Sequence, residues 1–255
     1  MIWFLIWIGT WLISFFLYAK RYTSNKVFYG FSFVQFFYLV ATMPITALCL
    51  LNIGFDVTKN PEVINIPIST EVLLSFYILS ILVGAIGGSI HASSTSLAEQ
   101  LKNHIFLNAY SVNEEFHGPV SHDLIFLSIT GVTLFLGLLG LNHPSAIPIN
   151  PTLPLYGGII IGLLNGLTVV RSTHVGLSLI TSFFTTLFLG LIIQNSSLHL
   201  INYPFLVFAV VNAFVIFITL LISILIYFKS KRMTKIMVKI IFPKGHPIHQ
   251  TFSIF

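Results

Sequence analysis

NEEFHGPVSHD, residues 113–123, leads without a break into LIFLSITGVTLFLGLLGL, residues 124–141. Charged residues make up only 7% of the chain, yet Glu114, Glu115 and Asp123 stand here beside His117 and His122. The uncharged run that follows is close to the ~20 residues a helix needs to cross a hydrocarbon core of ~30 Å. Imidazoles and carboxylates at the mouth of such a span cost free energy unless they are paired, hydrated or ligating. The stretch is therefore both a fold signal and a candidate site.

The rest of the chain extends the membrane reading. Its 255 residues are 56% hydrophobic with a mean hydropathy of +0.95, whereas an average soluble domain carries roughly a quarter charged residues. Apolar segments of spanning length cover residues 2–19, 27–53, 72–90, 122–141, 155–170, 175–193 and 204–228. The expected fold is all-α, a polytopic bundle of seven transmembrane helices. A six-span alternative makes 155–193 one span plus a re-entrant segment.

Basic residues give an independent measure of topology. Lys20, Arg21 and Lys26 follow the first span, Lys102 the third and Arg171 the fifth, and Lys229, Lys231, Arg232, Lys235, Lys239 and Lys244 follow the seventh. With seven spans, every basic residue except Lys59 falls on one side. The positive-inside rule then puts the amino terminus outside and the carboxyl terminus in the cytoplasm, as expected of a multi-pass cell-membrane protein. No cleavable signal pattern opens the chain. The lone Cys49 excludes a disulfide framework. The net charge of +5 sits in loops and tail, so no nucleic-acid surface is expected.

Residues 1–228 thus form the transmembrane domain and 229–255 a basic amphipathic cytoplasmic tail. Met233, Ile236, Met237, Ile240 and Ile241 recur at helical spacing, with Lys231, Arg232, Lys235 and Lys239 on other faces. Such a tail is expected to lie on anionic inner-leaflet lipids.

Local patterns add further expectations. Trp3, Trp7 and Trp11 read as an interfacial belt, and Pro44 as a kink in span two. Gly158, Gly162 and Gly166 read as a close helix seam, most simply with the following span. If span three continues to Lys102, then His91, Thr95 and Glu99 share a face. Pro119 and Asp123 suit the first turn of a helix, which leaves His117 in the preceding loop. On a continuous helix, His117 and His122 would point in different directions.

The polar groups converge in depth at the cytoplasmic face. His91, His122 and His174, with His117 and Asp123, form a ligand inventory for catalytic zinc or non-haem iron. Glu115 is the candidate base for a metal-bound water. Arg171 is the candidate anchor for a phosphate or carboxylate on substrate. The expected activity is a membrane-embedded, metal-dependent enzyme working on a lipid or isoprenoid at the cytoplasmic leaflet. Alternatives are a transporter or channel with a proton or cation path through the His/Glu cluster, a haem-binding electron carrier, and a non-catalytic partner subunit. Seven spans with histidines at the cytoplasmic end are loosely similar to the alkaline ceramidase and adiponectin-receptor superfamily of zinc amide hydrolases. That family carries a His-x-x-x-His pair in its last span, and no histidine stands in the last span here.

Overall fold

A computed structural model of the chain describes residues 2–19, 26–28, 31–32, 36–101, 107–146, 149–150, 152–172, 175–196 and 198–229. The fold is a helical bundle. Helix α1 covers Ile2–Ala19, α2 Met43–Thr58, α3 Thr70–Leu101, α4 Leu107–Glu115, α5 Ser121–Asn142, α6 Thr152–Ser172, α7 Val175–Asn195 and α8 Pro204–Lys229. A short antiparallel pair, β1 (Lys26–Phe28) with β2 (Phe31–Ser32), precedes α2. Among the described residues, six helices are long and apolar enough to cross a membrane, and the apolar part of α1, Ile2–Leu17, is shorter.

The second span differs from its sequence expectation. Lys26–Phe28 pairs with Phe31–Ser32 as β1 and β2, and the spanning segment among the described residues is Val40–Thr58. A π-helical turn, Tyr38–Thr42, leads into α2, and Pro44 sits in the first turn of that helix. There its missing N–H removes no bond the helix needs.

Side chains that face lipid are apolar. On α7, Leu177, Ile180, Phe184, Leu187, Phe188 and Leu191 are exposed, and on α3 so are Val72, Phe76, Leu79, Leu82 and Ile86. In water this much exposed apolar surface would drive aggregation, but in hydrocarbon it costs nothing. Without a hydrophobic drive between helices, the contacts that hold the bundle must be close and geometric.

Glycine provides them. A Cβ on Gly158 would lie 3.0 Å from the Phe208 carbonyl oxygen, one on Gly162 2.9 Å from that of Asn212, and one on Gly166 2.8 Å from Thr219 Cβ. The seam expected from spacing is real, but its partner is α8 and not the following helix α7. Gly137 and Gly140 seat α5 on Ala209 and Phe205 of α8 in the same way. Buried Asn212 donates to Thr133 Oγ1 on α5 at 2.8 Å.

The tryptophans are also placed differently from expectation. Trp7 is only 6% exposed and packs edge-on against Phe4 and Phe208, while Trp3 and Trp11 pack against the same core. They are a core stripe on α1, which faces α2, α6 and α8, and not an interfacial belt.

Contacts along the helices show that they alternate in direction. Phe4 near the start of α1 meets Phe205 and Phe208 at the start of α8, and Ser14 bonds Thr42 ahead of α2 at 2.7 Å. At the end that holds the start of α1, a polar knot ties the α2–α3 connection to the end of α5. The Asn142 carboxamide accepts from Asn65 N at 3.2 Å and Ile66 N at 3.1 Å and donates to the Ile68 carbonyl at 3.1 Å. His143 reaches Thr70 Oγ1 at 2.7 Å and the Asn60 carbonyl at 2.9 Å. His143 is thus a structural histidine.

The glycine seam makes a paired prediction. Gly162→Leu must force α6 from α8, and overpacking of this kind costs about 1–3 kcal/mol. Gly190→Ala meets nothing within 4 Å and leaves stability unchanged or slightly higher. Thermal or denaturant unfolding in detergent checks both.

Candidate functional site

The site starts from a backbone-to-backbone helix contact in the molecule's other half. A Cβ on Gly87 of α3 would lie 3.0 Å from both Ser121 O and Ile125 N, which are backbone atoms of α5. Gly84 and Gly131 make reciprocal contacts, with Ser128 and Ser80 respectively. With α3 and α5 nearly backbone to backbone at Gly87, the next turn of α3 puts His91 against the start of α5. From Thr70 to His91 the helix rises roughly 32 Å at about 1.5 Å per residue, so His91 stands near one edge of the hydrocarbon core.

The opposing histidines are positioned by an irregularity. Helix α4, the segment Phe116–Val120 and α5 form one continuous helical path, with Glu115, Val120 and Ser121 all in right-handed helical backbone geometry. Phe116–Val120 is a π-helical turn built around Pro119. Proline cannot donate the bond that would close an α turn, and the wider turn accommodates the loss. His117 is therefore helical and not in a loop; Pro119 lies inside the π turn, and Asp123 falls in the first turn of α5 as expected. The wider turn also changes the facing rule. In an α-helix residues five apart diverge, but a π turn closes at five residues, so His117 and His122 come round to one side.

The result is a cluster of three half-buried imidazoles. His91 and His117 stack with ring centres 4.6 Å apart and planes at 22°. His91 and His122 are 4.9 Å apart, and His117 and His122 are 5.8 Å apart. Buried polar groups surround them. Asn113, 8% exposed, donates to the Ser94 carbonyl at 2.8 Å and ties α4 to α3. Ser94 and Ser121 are buried as well.

Counting protons assigns the tautomers. The Thr95 hydroxyl has one proton, which it donates to the His91 carbonyl at 2.6 Å, so its oxygen accepts at 2.9 Å from His117 Nδ1–H. The Ser121 hydroxyl donates to the His117 carbonyl in the same way and accepts at 3.4 Å from His91 Nδ1–H. On this count both Nδ1 atoms act as donors to hydroxyl oxygens. Metal-ligating histidines commonly bind one ring nitrogen to an oxygen in this way.

The spacing suits coordination, and the ring tilts do not yet match it. Imidazoles on a tetrahedral ion with metal–nitrogen bonds of about 2.0–2.1 Å hold their ring centres roughly 5 Å apart. The stacked pair would have to turn about its side-chain torsions to aim two Nε2 atoms at one point. Among the described residues, no group of three His, Cys, Asp or Glu has its donor atoms converged on a metal position.

The other candidate residues are distributed around the cluster. Asp123 is half-buried beside His122, and Glu115 is exposed. Glu114 pairs with Tyr110, whose phenol is pushed up first by burial and then by that carboxylate. His174 and the side chains of Arg171 and Glu99 lie outside the described residues, as does the tail with Lys231, Arg232, Lys235 and Lys239. Val169, Val170 and Val175, which flank Arg171 and His174 in sequence, pack in the same apolar cluster as Phe126. The Phe126 ring centre is 6.1 Å from that of His122.

Beside His117, the cleft between α3 and α4 opens into a cavity of about 330 Å³. Ser89, Ser93, Ser94 and Asn113, with Ile90, Leu97 and Phe116, line this open groove. Sequence reasoning found each histidine but missed this cleft, whose walls come from helices that sequence alone does not pair.

The chain matches no protein-family model, no curated protein and no solved structure. The site is interpreted from its own geometry.

The tautomer assignment is directly measurable. Nitrogen-15 spectra of histidine-labelled protein, assigned with single His→Ala variants, should show His91 and His117 protonated at Nδ1. Thr95→Val should shift the His117 resonances and leave those of His143 unchanged.

Proposed function

We propose that this is a seven-span membrane protein with a metal-dependent enzymatic site at its cytoplasmic face. The observation that carries the proposal is the clustering of His91, His117 and His122, whose ring centres lie 4.6, 4.9 and 5.8 Å apart. Zinc or iron is the metal class that such a nitrogen set takes. Bound there, the metal would act as a Lewis acid and supply an activated water.

Around it, the chain's own residues have separable roles. His91, His117 and His122 bind, and Asp123 and His174 complete the ligand inventory. Glu115 is the candidate base. Arg171, in the last turn of α6, is the candidate anchor for an anionic head group. The cleft between α3 and α4 admits a lipid or isoprenoid substrate from the leaflet, with Leu97 and Phe116 exposed at its rim.

The helix directions support seven spans with the amino terminus outside. At 18 residues α1 is about 27 Å long at ~1.5 Å per residue, enough to cross with local thinning of the bilayer. With α1 crossing, the basic residues other than Lys59 follow helix ends on the histidine side. Cysteine introduced at Glu115 should label only from the cytoplasm, and cysteine at Asn60 only from outside. The reverse pattern would overturn the orientation.

Metal content tests the site. Protein purified without chelator should carry about one equivalent of zinc or iron, most of it lost in His91→Ala, His117→Ala and His122→Ala and kept in His143→Ala. Equal metal content in all five proteins would rule out the proposed ligands. A Soret band lost in the same variants would replace the enzyme reading with haem binding.

A further inference from the structure

A polar row stands at the end of the bundle opposite the imidazole cluster. The connection from α2 to α3, residues 59–69, is held against the last turn of α5. Val63 N–H donates to the Asn142 carbonyl at 2.7 Å, and Asn65 Nδ2 to the Leu141 carbonyl at 2.6 Å. His143, the C-cap of α5 and only 5% exposed, adds the row. Its ring lies between the Asn60 carbonyl, 2.9 Å from Nδ1, and Thr70 Oγ1, 2.7 Å from Nε2. Thr70 in turn donates to Glu62 Oε1 at 2.6 Å. Asn60 and Glu62 belong to the connection, Thr70 opens α3 and His143 follows α5, so one line of hydrogen bonds joins three elements.

The row has more acceptors than a neutral histidine can serve. A backbone carbonyl only accepts, so His143 Nδ1 carries a proton. A carboxylate also only accepts, and the Thr70 hydroxyl has one proton to give. If that proton goes to Glu62, a neutral ring meets Thr70 lone pair to lone pair. If it goes to Nε2, Glu62 loses its bond to the row. Both contacts are hydrogen bonds at once only when the row holds one further proton, and imidazole is a stronger base than carboxylate. The surroundings suit an imidazolium. His143 caps the negative end of the α5 dipole, no basic residue stands in the last turn of α5 itself, and Glu62 is one hydroxyl away. Lys59, beside Asn60, is taken up by Asp56 at 2.7 Å. Glu71 follows Thr70 on α3, Tyr203 just ahead of α8 lies 3.5 Å from Asn65 Nδ2, and His199 on the α7–α8 connection is exposed.

We infer that this row is a pH-sensitive clasp: protonated His143 ties the α2–α3 connection to the end of α5 through Thr70 and Glu62, and loss of the proton frees Glu62. Thr70 then turns its own proton to Nε2, and the connection keeps its bonds to Asn142 and Leu141. The closed row binds a proton that the freed connection gives up. Falling pH therefore favours closure and rising pH favours release, over the range of about pH 5–8 in which histidine changes charge. Hydrogen bonds to an ionised partner are roughly twice as strong as neutral ones, so the lost charge weakens the clasp along its length. The clasp fixes the start of α3, the helix that carries His91 toward its other end. The inference is independent of the metal proposal, because none of its residues belongs to the histidine cluster.

Hydrogen exchange of the full chain in nanodiscs, read by mass spectrometry, reports on the clasp. The amides of Val63, Asn65 and Ile66 are bonded to Asn142 when the connection is seated. After correction for the intrinsic pH dependence of exchange, protection of residues 61–69 should fall by about threefold or more between about pH 5.5 and 8. Glu62 is exposed, so Glu62→Ala leaves the packing intact, and its protection should be low and flat over this range. His143→Gln should be flat as well, and Thr70→Ser, which keeps the hydroxyl, should retain the dependence. Nitrogen-15 spectra of the wild type should show His143 protonated on both ring nitrogens at the acid end. Wild-type protection that does not change with pH would overturn the inference. So would a pH dependence in Glu62→Ala or His143→Gln equal to that of the wild type.

Discussion

The near-contact of two backbones at Gly87 is the constraint on which the rest depends. Inside a bilayer, helices gain little by hiding apolar surface from one another, so their association rests on closeness, hydrogen bonds and shape. Gly84 and Gly87 on α3 and Gly131 on α5 let those two helices approach until the side chain of one meets the main chain of the other. Gly158, Gly162 and Gly166 do the same for α6 on α8. Two tight pairs, joined through α5 and α8 by Asn212 and Thr133, give the bundle a rigid centre on which α1, α2 and α7 are laid.

The histidine cluster is placed by the same contact. His91 is one turn beyond Gly87, and Ser121, whose carbonyl Gly87 approaches, stands next to His122. The π turn at Pro119 then brings His117 round to the same side. A wider residue at Gly87 would separate the rings without touching any of them. The hydroxyls of Thr95 and Ser121 have two tasks, since each satisfies a helix carbonyl and accepts from an imidazole. Packing, backbone irregularity and protonation state thus converge within one turn of each helix.

Much of this was legible in the sequence, and the rest failed for identifiable reasons. Hydropathy and span length located the membrane helices because burial in lipid leaves a long, uncharged run. Span two was misplaced because residues 27–42 are as apolar as a helix, while Lys26–Phe28 pairs with Phe31–Ser32 and Tyr38–Thr42 forms a π turn. Glycine spacing revealed a seam on α6 but not its partner, since spacing describes one surface and α8 is far away in sequence. The tryptophan stripe had the period of a buried face, yet residue type alone favoured the interface. At Pro119, a proline after glycine reads naturally as a helix start, and the facing rule for five residues assumed an α turn.

The central claim is that three imidazoles share one metal ion through Nε2. X-ray absorption at the metal edge of zinc-loaded protein tests this most directly. The account predicts three nitrogen ligands at about 2.0–2.1 Å with the outer-shell scattering of imidazole rings, falling to two in His117→Ala. A zinc ion bound only by oxygen, or a spectrum unchanged by that substitution, would contradict it.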